Sequence, residues 1–293
     1  MSVLFFCVGA AKAGTSWLHK QLSAHPECHF RAIKELHYFN AIEIGKLPDE
    51  LKKHRDQQKA MLDQMAYTAK PVGQGKSMRL ADRAAWMDVL EKGEDTDAYL
   101  DYLHGEAGDA RVVGDMTPAY ALLPETRLRS MAQLTDDVRL LYLLRDPLER
   151  LWSHVRMIAA RRDTHGRITE KRCARILRRT LNGEETQIVV RSDYAGALAR
   201  LTAAVAPAKL SFEVFEEMIA GDGFGRICDF LGISRITPDT VPVHEGQTLE
   251  MSREQRLAAL QWLAPQYEAT HQALGRMPES WAMSPRSSME GVK

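Results

Sequence analysis

Two short apolar runs along the 293-residue chain are each followed by a helical pattern. The first, residues 3–8, leads into Trp17, Leu18 and Leu22, which recur at helical spacing. The second, residues 138–144, ends at an Arg-Asp-Pro turn and precedes another periodic segment. A continuous apolar run bounded by turn residues is typical of a parallel strand that is covered on both faces. The pattern therefore predicts two strand–turn–helix units.

Weaker signals complete an α/β pattern. Residues 111–114 and 210–215 are expected to form further strands, each followed by turn or helix residues. Strands that alternate with helices favour a parallel sheet with helices on both faces. Because the chain has no repeat, linker or low-complexity tract, we expect one α/β domain over residues 1–293. Its arrangement should be a three-layer α/β/α stack around a central parallel sheet.

Two charged amphipathic helices, residues 49–65 and 252–275, are also expected. The second should carry an apolar stripe formed by Leu257, Leu260, Leu263 and Tyr267. No apolar run approaches the roughly 18 residues of a membrane span. The opening residues lack a basic leader and are expected to be a strand rather than a signal peptide. We therefore expect a cytoplasmic protein of bacterial type without a membrane span.

Charge and cysteine content narrow the function classes. Lysine plus arginine and aspartate plus glutamate both total 39, so bulk charge does not predict a nucleic-acid polymer as partner. The four cysteines, Cys7, Cys28, Cys173 and Cys228, form no C-x-x-C pair. That scatter argues against a zinc site or a disulfide framework and favours reduced, mostly buried thiols. Any basic site must therefore be local, and the oligomeric state stays open.

The first apolar run leads into a glycine-bearing loop, VGAAKAGTSWLHKQLSAHP. Gly9 and Gly14 have the spacing of an ATPase phosphate loop, but Lys12 lies two residues before the second glycine. Amides near Gly14, Thr15 and Ser16 would point at an anion, and an ammonium beside them suits a group that gains charge as a bond breaks. Paired carboxylates for magnesium are not evident, so a sulfuryl group fits better than ATP. A glycine turn used only for tight packing is the alternative.

This loop resembles the 5′-phosphosulfate loop of sulfotransferases, whose donor is 3′-phosphoadenosine 5′-phosphosulfate (PAPS). A second motif, LYLLRDPLERLWS at residues 141–153, strengthens the resemblance because Ser153 stands eight residues after Arg145. The resemblance assigns the donor's 3′-phosphate to Arg145 and Ser153, and a guanidinium suits phosphate through two donors. Taken alone, Arg145 could instead form an ion pair with Asp146. The resemblance implies a P-loop-like sulfotransferase fold, no metal, and donor contacts from Lys12, Ala13, Gly14, Thr15, Ser16 and Trp17.

The segment KELHYFN, residues 34–40, is similar to the catalytic segment of heparan sulfate sulfotransferases, the glycan-type branch of the family. The resemblance implies that Glu35 is the catalytic base. His37 is the rival, since an imidazole can act near neutrality without a pKa shift. Lys34 is expected either to orient the sulfuryl oxygens or merely to pair with Glu35.

The segment GDMTPAY, residues 114–120, resembles the acidic-x-Thr-Pro-x-Tyr strand end of the same branch. We expect Asp115, Thr117 and Tyr120 to line the cleft and bind the acceptor substrate. Met116 stands where close relatives often carry lysine. Near the C-terminus, residues 243–247 (VHEGQ) replace the usual Lys-Gly pair, so a lid contact to the 3′-phosphate is open.

Residues 161–179 hold eight lysines and arginines in nineteen positions. One interpretation is a solvated helix face after the helix that carries Ser153. The other is a surface that recruits an acidic acceptor or an anionic lipid.

Together these features predict a PAPS-dependent sulfotransferase that acts on a hydroxyl or amine of a glycan, lipid or small molecule. Lys12 would stabilise the leaving phosphate, Glu35 would take the acceptor's proton, and Arg145 with Ser153 would hold the donor. Two alternatives remain open at this point. One is a nucleotide or small-molecule kinase with a phosphate loop, and the other is a module that binds PAPS or its product without catalysis.

Overall fold

Five parallel strands form one sheet in a computed structural model that describes residues 2–68, 73–239 and 248–282. The strands are β1 (Val3–Gly9), β2 (Cys28–Phe30), β3 (Val112–Asp115), β4 (Val138–Leu144) and β5 (Leu210–Val214). Their order in the sheet is β2-β3-β1-β4-β5, and every neighbouring pair is parallel. The predicted parallel sheet is confirmed, with β1 at its centre.

Fourteen helices are present in the described residues and flank the sheet. They are α1 (Thr15–Ser23), α2 (Tyr38–Glu43), α3 (Leu47–Thr68), α4 (Gln74–Glu91), α5 (Thr96–His104), α6 (Glu125–Met131), α7 (Pro147–Arg161), α8 (Glu170–Leu181), α9 (Thr186–Ser192), α10 (Tyr194–Ala204), α11 (Phe215–Ala220), α12 (Gly223–Leu231), α13 (Arg253–Leu274) and α14 (Glu279–Ala282). Two short 3₁₀ turns, Tyr120–Leu122 and Pro207–Lys209, complete the described elements.

The two strand–turn–helix units form as the apolar pattern predicted. All seven residues of β1 are buried, and so are six of the seven in β4, because helices cover the sheet. Asp146 starts α7 by accepting hydrogen bonds from the amides of Leu148 and Glu149, and Pro147 occupies the first turn. A side-chain cap followed by proline is a strong helix start, which fixes the turn after β4.

Two expectations about the elements are corrected. Strand β2 was not predicted, because its three residues are half-buried and form no apolar run. In α13 the side chain of Leu257 is exposed, whereas Ala259, Leu263 and Tyr267 are buried. These three buried residues repeat every four positions, and Leu257 lies two residues away from them, on the opposite side of the helix.

The topology brings five chain segments to one edge of the sheet. Because the strands are parallel, the residues that follow β1, β2, β3, β4 and β5 all emerge at the carboxyl edge. Ligands of open parallel sheets bind at this edge. The glycine loop after β1 therefore lies between the end of β3 and the turn after β4.

The cysteines agree with the expectation of reduced, mostly buried thiols. The four cysteines are free thiols, of which Cys7, Cys173 and Cys228 are buried and Cys28 is half-buried. Over residues 2–68, 73–239 and 248–282, no helix is long and apolar enough to cross a membrane. The single-domain assignment for residues 1–293 stays a prediction.

Candidate active site at the carboxyl edge of the sheet

Tight packing around two glycines shapes the loop between β1 and α1. Gly14 caps α1 with a left-handed φ of 87°, and a Cβ there would overlap the ring of Phe215. A Cβ on Gly9 would likewise overlap the ring of Tyr142 on β4. No side chain caps the first turn of α1, so the amides of Thr15 and Ser16 keep the open donors of a helix start. The loop thus presents amide donors and the positive end of a helix dipole.

Lys12 lies at the middle of this loop in a left-handed conformation, with φ of 72°. Burial is the main cause that lowers its pKa, and the neighbouring charges of Arg145, Arg161, Arg156 and Lys34 lower it further. Like charges gathered around a half-buried ammonium destabilise each other until an anion binds between them. The loop is therefore electrostatically prepared for a ligand with several negative charges.

Arg145, the first residue after β4, points its side chain toward the loop. Its Nη1 donates to the carbonyl of Lys12 at 3.2 Å, and its guanidinium carbon lies 5.0 Å from the centre of the Phe215 ring. Its Nε is buried and has no hydrogen-bond partner among the described residues. The Asp146 carboxylate accepts hydrogen bonds from the amides of Leu148 and Glu149 at the start of α7. A buried donor left open next to an anion loop fits a phosphate oxygen.

Two further residues hold Arg145 in place, and the sequence assigned neither of them a role. Phe215, the first residue of α11, stacks beneath its guanidinium. The hydroxyl of Tyr194 donates to the Arg145 carbonyl at 3.1 Å and accepts from the Arg145 amide at 3.2 Å. Tyr194 belongs to the segment RSDYAGAL, which resembles the Ser-x-Tyr helix start of the glycan-type branch but by itself indicates no contact with Arg145.

The remaining predicted donor residues fall into two groups. Ser153 is half-buried on α7, two turns after Arg145. Ala13 and Trp17 are buried instead, and the Trp17 indole donates to the carbonyl of Asp239 at 3.0 Å. The side chain of Trp17 thus packs α1 against the later chain, and any donor contact from Ala13 or Trp17 would have to come from the backbone.

Lys34 joins the loop to the candidate base. Its ammonium lies 3.2 Å from the Thr15 hydroxyl, 3.1 Å from the Ser16 hydroxyl and 3.0 Å from a Glu35 carboxylate oxygen. The other Glu35 oxygen lies 3.5 Å from Nε2 of His37. Although burial raises the pKa of Glu35, the His37 hydrogen bond and the Lys34 charge outweigh it and bring the pKa to about 2. The sequence-predicted residues Lys34, Glu35 and His37 therefore meet next to the loop.

Asp115, Thr117 and Tyr120 form a buried network at the end of β3. The Asp115 carboxylate accepts hydrogen bonds from Tyr120 at 2.6 Å, Thr117 at 2.7 Å and Tyr99 at 3.0 Å. Burial raises the pKa of Asp115, although these three hydrogen bonds act to lower it. The sequence predicted that these residues line the cleft, but all of their side chains are buried and do not reach the cleft surface. Their geometry favours support of the cleft wall, and contact with a substrate stays a prediction.

The buried network connects to the candidate base through one backbone contact. The amide of His37 donates to the Thr117 hydroxyl at 3.4 Å. His37 has a left-handed φ of 55° at the start of α2, and the first residues of that helix, Tyr38 and Phe39, are buried. The network therefore anchors the strand end and the segment that carries Glu35 together.

The basic residues 161–179 are divided between the end of α7, a loop and α8. Several of their charges are paired: Arg172 with Asp163 at 2.7 Å, and Arg162 and Arg179 with Glu185, which follows α8, at 2.7 and 2.9 Å. The exposed arginines and the buried face of α8 agree with a solvated helix. Residues 243–247, the candidate lid, lie outside the described residues.

A small cleft next to the loop adds Arg191, which the sequence analysis did not single out. Arg191, Ala10, Ala11 and Tyr142 line it. Arg191 is half-buried, and its pKa is lowered mainly by burial, against the attraction of Glu35. In the described part of the chain no group of three or more histidine, cysteine or acidic side chains could hold a metal ion.

Comparisons with known proteins identify the family. Residues 5–238 match the Sulfotransferase family. Carbohydrate sulfotransferase 15 from Rattus norvegicus is 28% identical over 179 residues, which are 57% of this chain and 30% of that protein. The same protein from Homo sapiens is 27% identical over equal shares. The matched region thus spans less than a third of these curated relatives.

Solved structures agree at the level of the fold. A sulfotransferase from Alicyclobacillus acidocaldarius superposes with a TM-score of 0.64 at 23% identity, over 96% of this chain and 99% of that one. The sulfotransferase domain of the Synechococcus PCC 7002 olefin synthase gives a TM-score of 0.51 at 17% identity, over 90% and 94% of the two chains. With the fold, the loop and a family match over most of its length, the chain belongs to the Sulfotransferase family.

Proposed function

We propose that this protein is a sulfotransferase that uses PAPS as donor and transfers its sulfuryl group to a hydroxyl or amine. The observation that carries the proposal is the guanidinium of Arg145, which faces the loop beside Lys12 with a buried Nε that lacks a partner in the described residues. Such an arginine leaves two or more donors for a phosphate, in the geometry that guanidinium groups use for phosphate.

The residues at the site fit both ends of this donor. Lys12 and the amides of Thr15 and Ser16 suit the 5′-phosphosulfate, because they combine an ammonium with a helix start. Arg145 and Ser153 suit the 3′-phosphate, which distinguishes PAPS from ATP. The donor supplies an activated sulfuryl group, whose bond to the bridging oxygen breaks during transfer.

The reaction forms a bond from the acceptor oxygen or nitrogen to sulfur and breaks the bond from sulfur to the bridging phosphate oxygen. The leaving nucleotide is adenosine 3′,5′-bisphosphate (PAP), and the acceptor proton passes to Glu35. Lys12 stabilises the negative charge that grows on the bridging oxygen. Lys34, whose ammonium contacts the hydroxyls of Thr15 and Ser16 at the start of α1, would orient the sulfuryl oxygens.

The ionisation of Glu35 supports its role as base and also sets a condition on it. With a pKa of about 2 the carboxylate is ionised across the neutral range and can accept a proton. The ion pairs that lower the pKa also weaken the base. We infer that Lys34 leaves Glu35 for the donor when both substrates are bound, and that the base then strengthens. His37 remains the rival base, because its Nε2 lies 3.5 Å from the Glu35 carboxylate and therefore occupies the same part of the site.

The proposed class of acceptor is broad. The relatives named carbohydrate sulfotransferase 15 favour a glycan, but the chain spans under a third of their length. Glycans, lipids and small molecules with a free hydroxyl or amine therefore belong in the same screen. A cytoplasmic location and a bacterial source also stay predictions.

The decisive experiment measures transfer from labelled PAPS to a panel of such acceptors, in the presence and absence of EDTA. We expect transfer to continue with EDTA, because lysine and amides supply the charge stabilisation. A parallel thermal-shift titration with PAP and with ATP plus magnesium separates the alternatives. A response to ATP with magnesium and none to PAP would favour a kinase. A response to PAP without transfer to any acceptor would favour a binding module.

A further inference from the structure

Arg150 on α7 is buried at a position where an apolar side chain would be expected. It is 1% exposed and is one of the largest fully buried side chains in the described residues. Its neighbours along the helix, Leu148, Leu151 and Trp152, are buried apolar residues. Charged side chains are rarely buried so completely unless they are paired.

The partners of Arg150 are all neutral. Its Nη1 donates to the carbonyl of Ala11 at 3.4 Å and lies 3.5 Å from Nδ1 of His154, and its Nη2 donates to the Ser192 hydroxyl. Burial first and the Arg150 charge second lower the pKa of His154 to about 3, so this histidine is neutral at pH 7.

No carboxylate lies within ion-pair distance of Arg150 over residues 2–68, 73–239 and 248–282. Arg31 shows the usual solution, since this largely buried guanidinium pairs with Asp82 at 2.6 Å. A buried cation without a counter-ion costs free energy, and burial lowers the pKa of Arg150 accordingly. This unpaired guanidinium lies directly beneath the phosphate loop, where it donates to the carbonyl of Ala11.

The contacts of Arg150 connect the two halves of the donor site. Ala11 belongs to the loop and precedes Lys12, which would face the 5′-phosphosulfate. Ser192 ends α9, two residues before Tyr194, whose hydroxyl holds the backbone of Arg145. The guanidinium therefore lies behind both candidate phosphate sites without reaching the surface.

We propose that Arg150 is a positioning residue whose buried positive charge strengthens binding of the donor's phosphate groups from beneath the loop. The inference rests on the proposed function, because it takes the loop to be the donor site. A charge of this kind acts over several ångströms through a medium of low dielectric constant. When the donor binds, its phosphate groups supply the negative charge that Arg150 lacks in the free protein.

The test uses the full chain and PAP as the probe. Arg150→Met removes the charge and keeps most of the volume, and Arg150→Lys keeps the charge. Arg139→Met is the matched control, because Arg139 lies at the start of β4, at the opposite edge, and pairs with Asp137 at 3.0 Å. We expect calorimetry to show about tenfold weaker PAP binding or more for Arg150→Met. Arg150→Lys should stay within about threefold of the wild type, and Arg139→Met should not differ from it.

Thermal unfolding without ligand adds a second measurement, the melting temperature. A purely structural role for Arg150 predicts that this temperature falls in Arg150→Met. Removal of an unpaired buried charge should leave the melting temperature of Arg150→Met equal to or above that of the wild type. A lower melting temperature together with unchanged PAP affinity would overturn the inference. If Arg150→Met does not fold, Arg150→Lys decides: a folded lysine variant with tenfold weaker binding also overturns it. Absence of PAP binding by the wild type would instead refute the proposed function.

Discussion

Replacement of Arg145 by alanine should separate nucleotides with a 3′-phosphate from those without one. In the free protein this side chain makes one hydrogen bond, to the Lys12 carbonyl at 3.2 Å, and its Nε has no partner among the described residues. Truncation removes this contact and the contact with the Phe215 ring, both on the protein side, so a loss confined to nucleotides with a 3′-phosphate should report the phosphate contact itself. A hydrogen bond between charged groups contributes about 1.5–3 kcal/mol, which corresponds to roughly a 10- to 150-fold loss.

Calorimetry with PAP and with 5′-AMP is the assay for this prediction. We expect the loss for PAP, while 5′-AMP should change by less than about threefold, because it lacks the phosphate that Arg145 would hold. Arg145→Lys should fall between wild type and alanine, since lysine keeps the charge but not the fork of donors. Ser153→Ala should cost about 1 kcal/mol for PAP alone. Equal losses for both nucleotides would refute the 3′-phosphate assignment.

Three other changes test other parts of the site. Gly14→Ala should lower the free energy of unfolding by about 1–3 kcal/mol and also weaken PAP binding, because the methyl group strains a left-handed φ and meets the ring of Phe215. Chemical denaturation measures the first effect, and unchanged stability would contradict the prediction. Glu35→Gln should bind PAP normally but transfer the sulfuryl group about 100-fold more slowly. If Glu35→Gln stays active while His37→Ala loses its transfer activity, the histidine is the base instead. Lys12→Ala should slow transfer more than it weakens PAP binding, and a purely nucleotide-binding effect would contradict its role in charge stabilisation.

The parts of the fold that the sequence predicted well are those with strong local signals. The strand at residues 138–144 has the predicted bounds, because six apolar residues in seven positions precede a proline turn that no strand can continue. Strand β2 escaped prediction because it is three residues long and is defined by its pairing with β3, more than 80 residues away. Leu257 was misassigned because the stripe on α13 depends on which helices it meets.

The candidate site shows the same division. Lys12, Lys34, Glu35 and Arg145 could be found because loop and turn residues of those types carry recognisable motifs. Arg150 could not, since a guanidinium that contacts Ala11 and Ser192 gives no local pattern. The interpretation of the GDMTPAY segment needed the structure as well: only burial distinguishes a carboxylate that supports a wall from one that lines a cleft.

The single ammonium that Lys34 places between the loop and Glu35 has a consequence for the order in which substrates bind. Lys34 contacts both the hydroxyls of α1 and the carboxylate, so a sulfuryl group that attracts it should release Glu35. Release removes one cause of the low pKa, and donor binding should therefore take up protons in buffers near pH 3–4, which calorimetry in buffers of different ionisation enthalpy can detect. Before the donor arrives, an acceptor would meet a carboxylate already occupied by a cation. Steady-state kinetics should then be ordered, with the donor first and PAP as a competitive inhibitor against it alone.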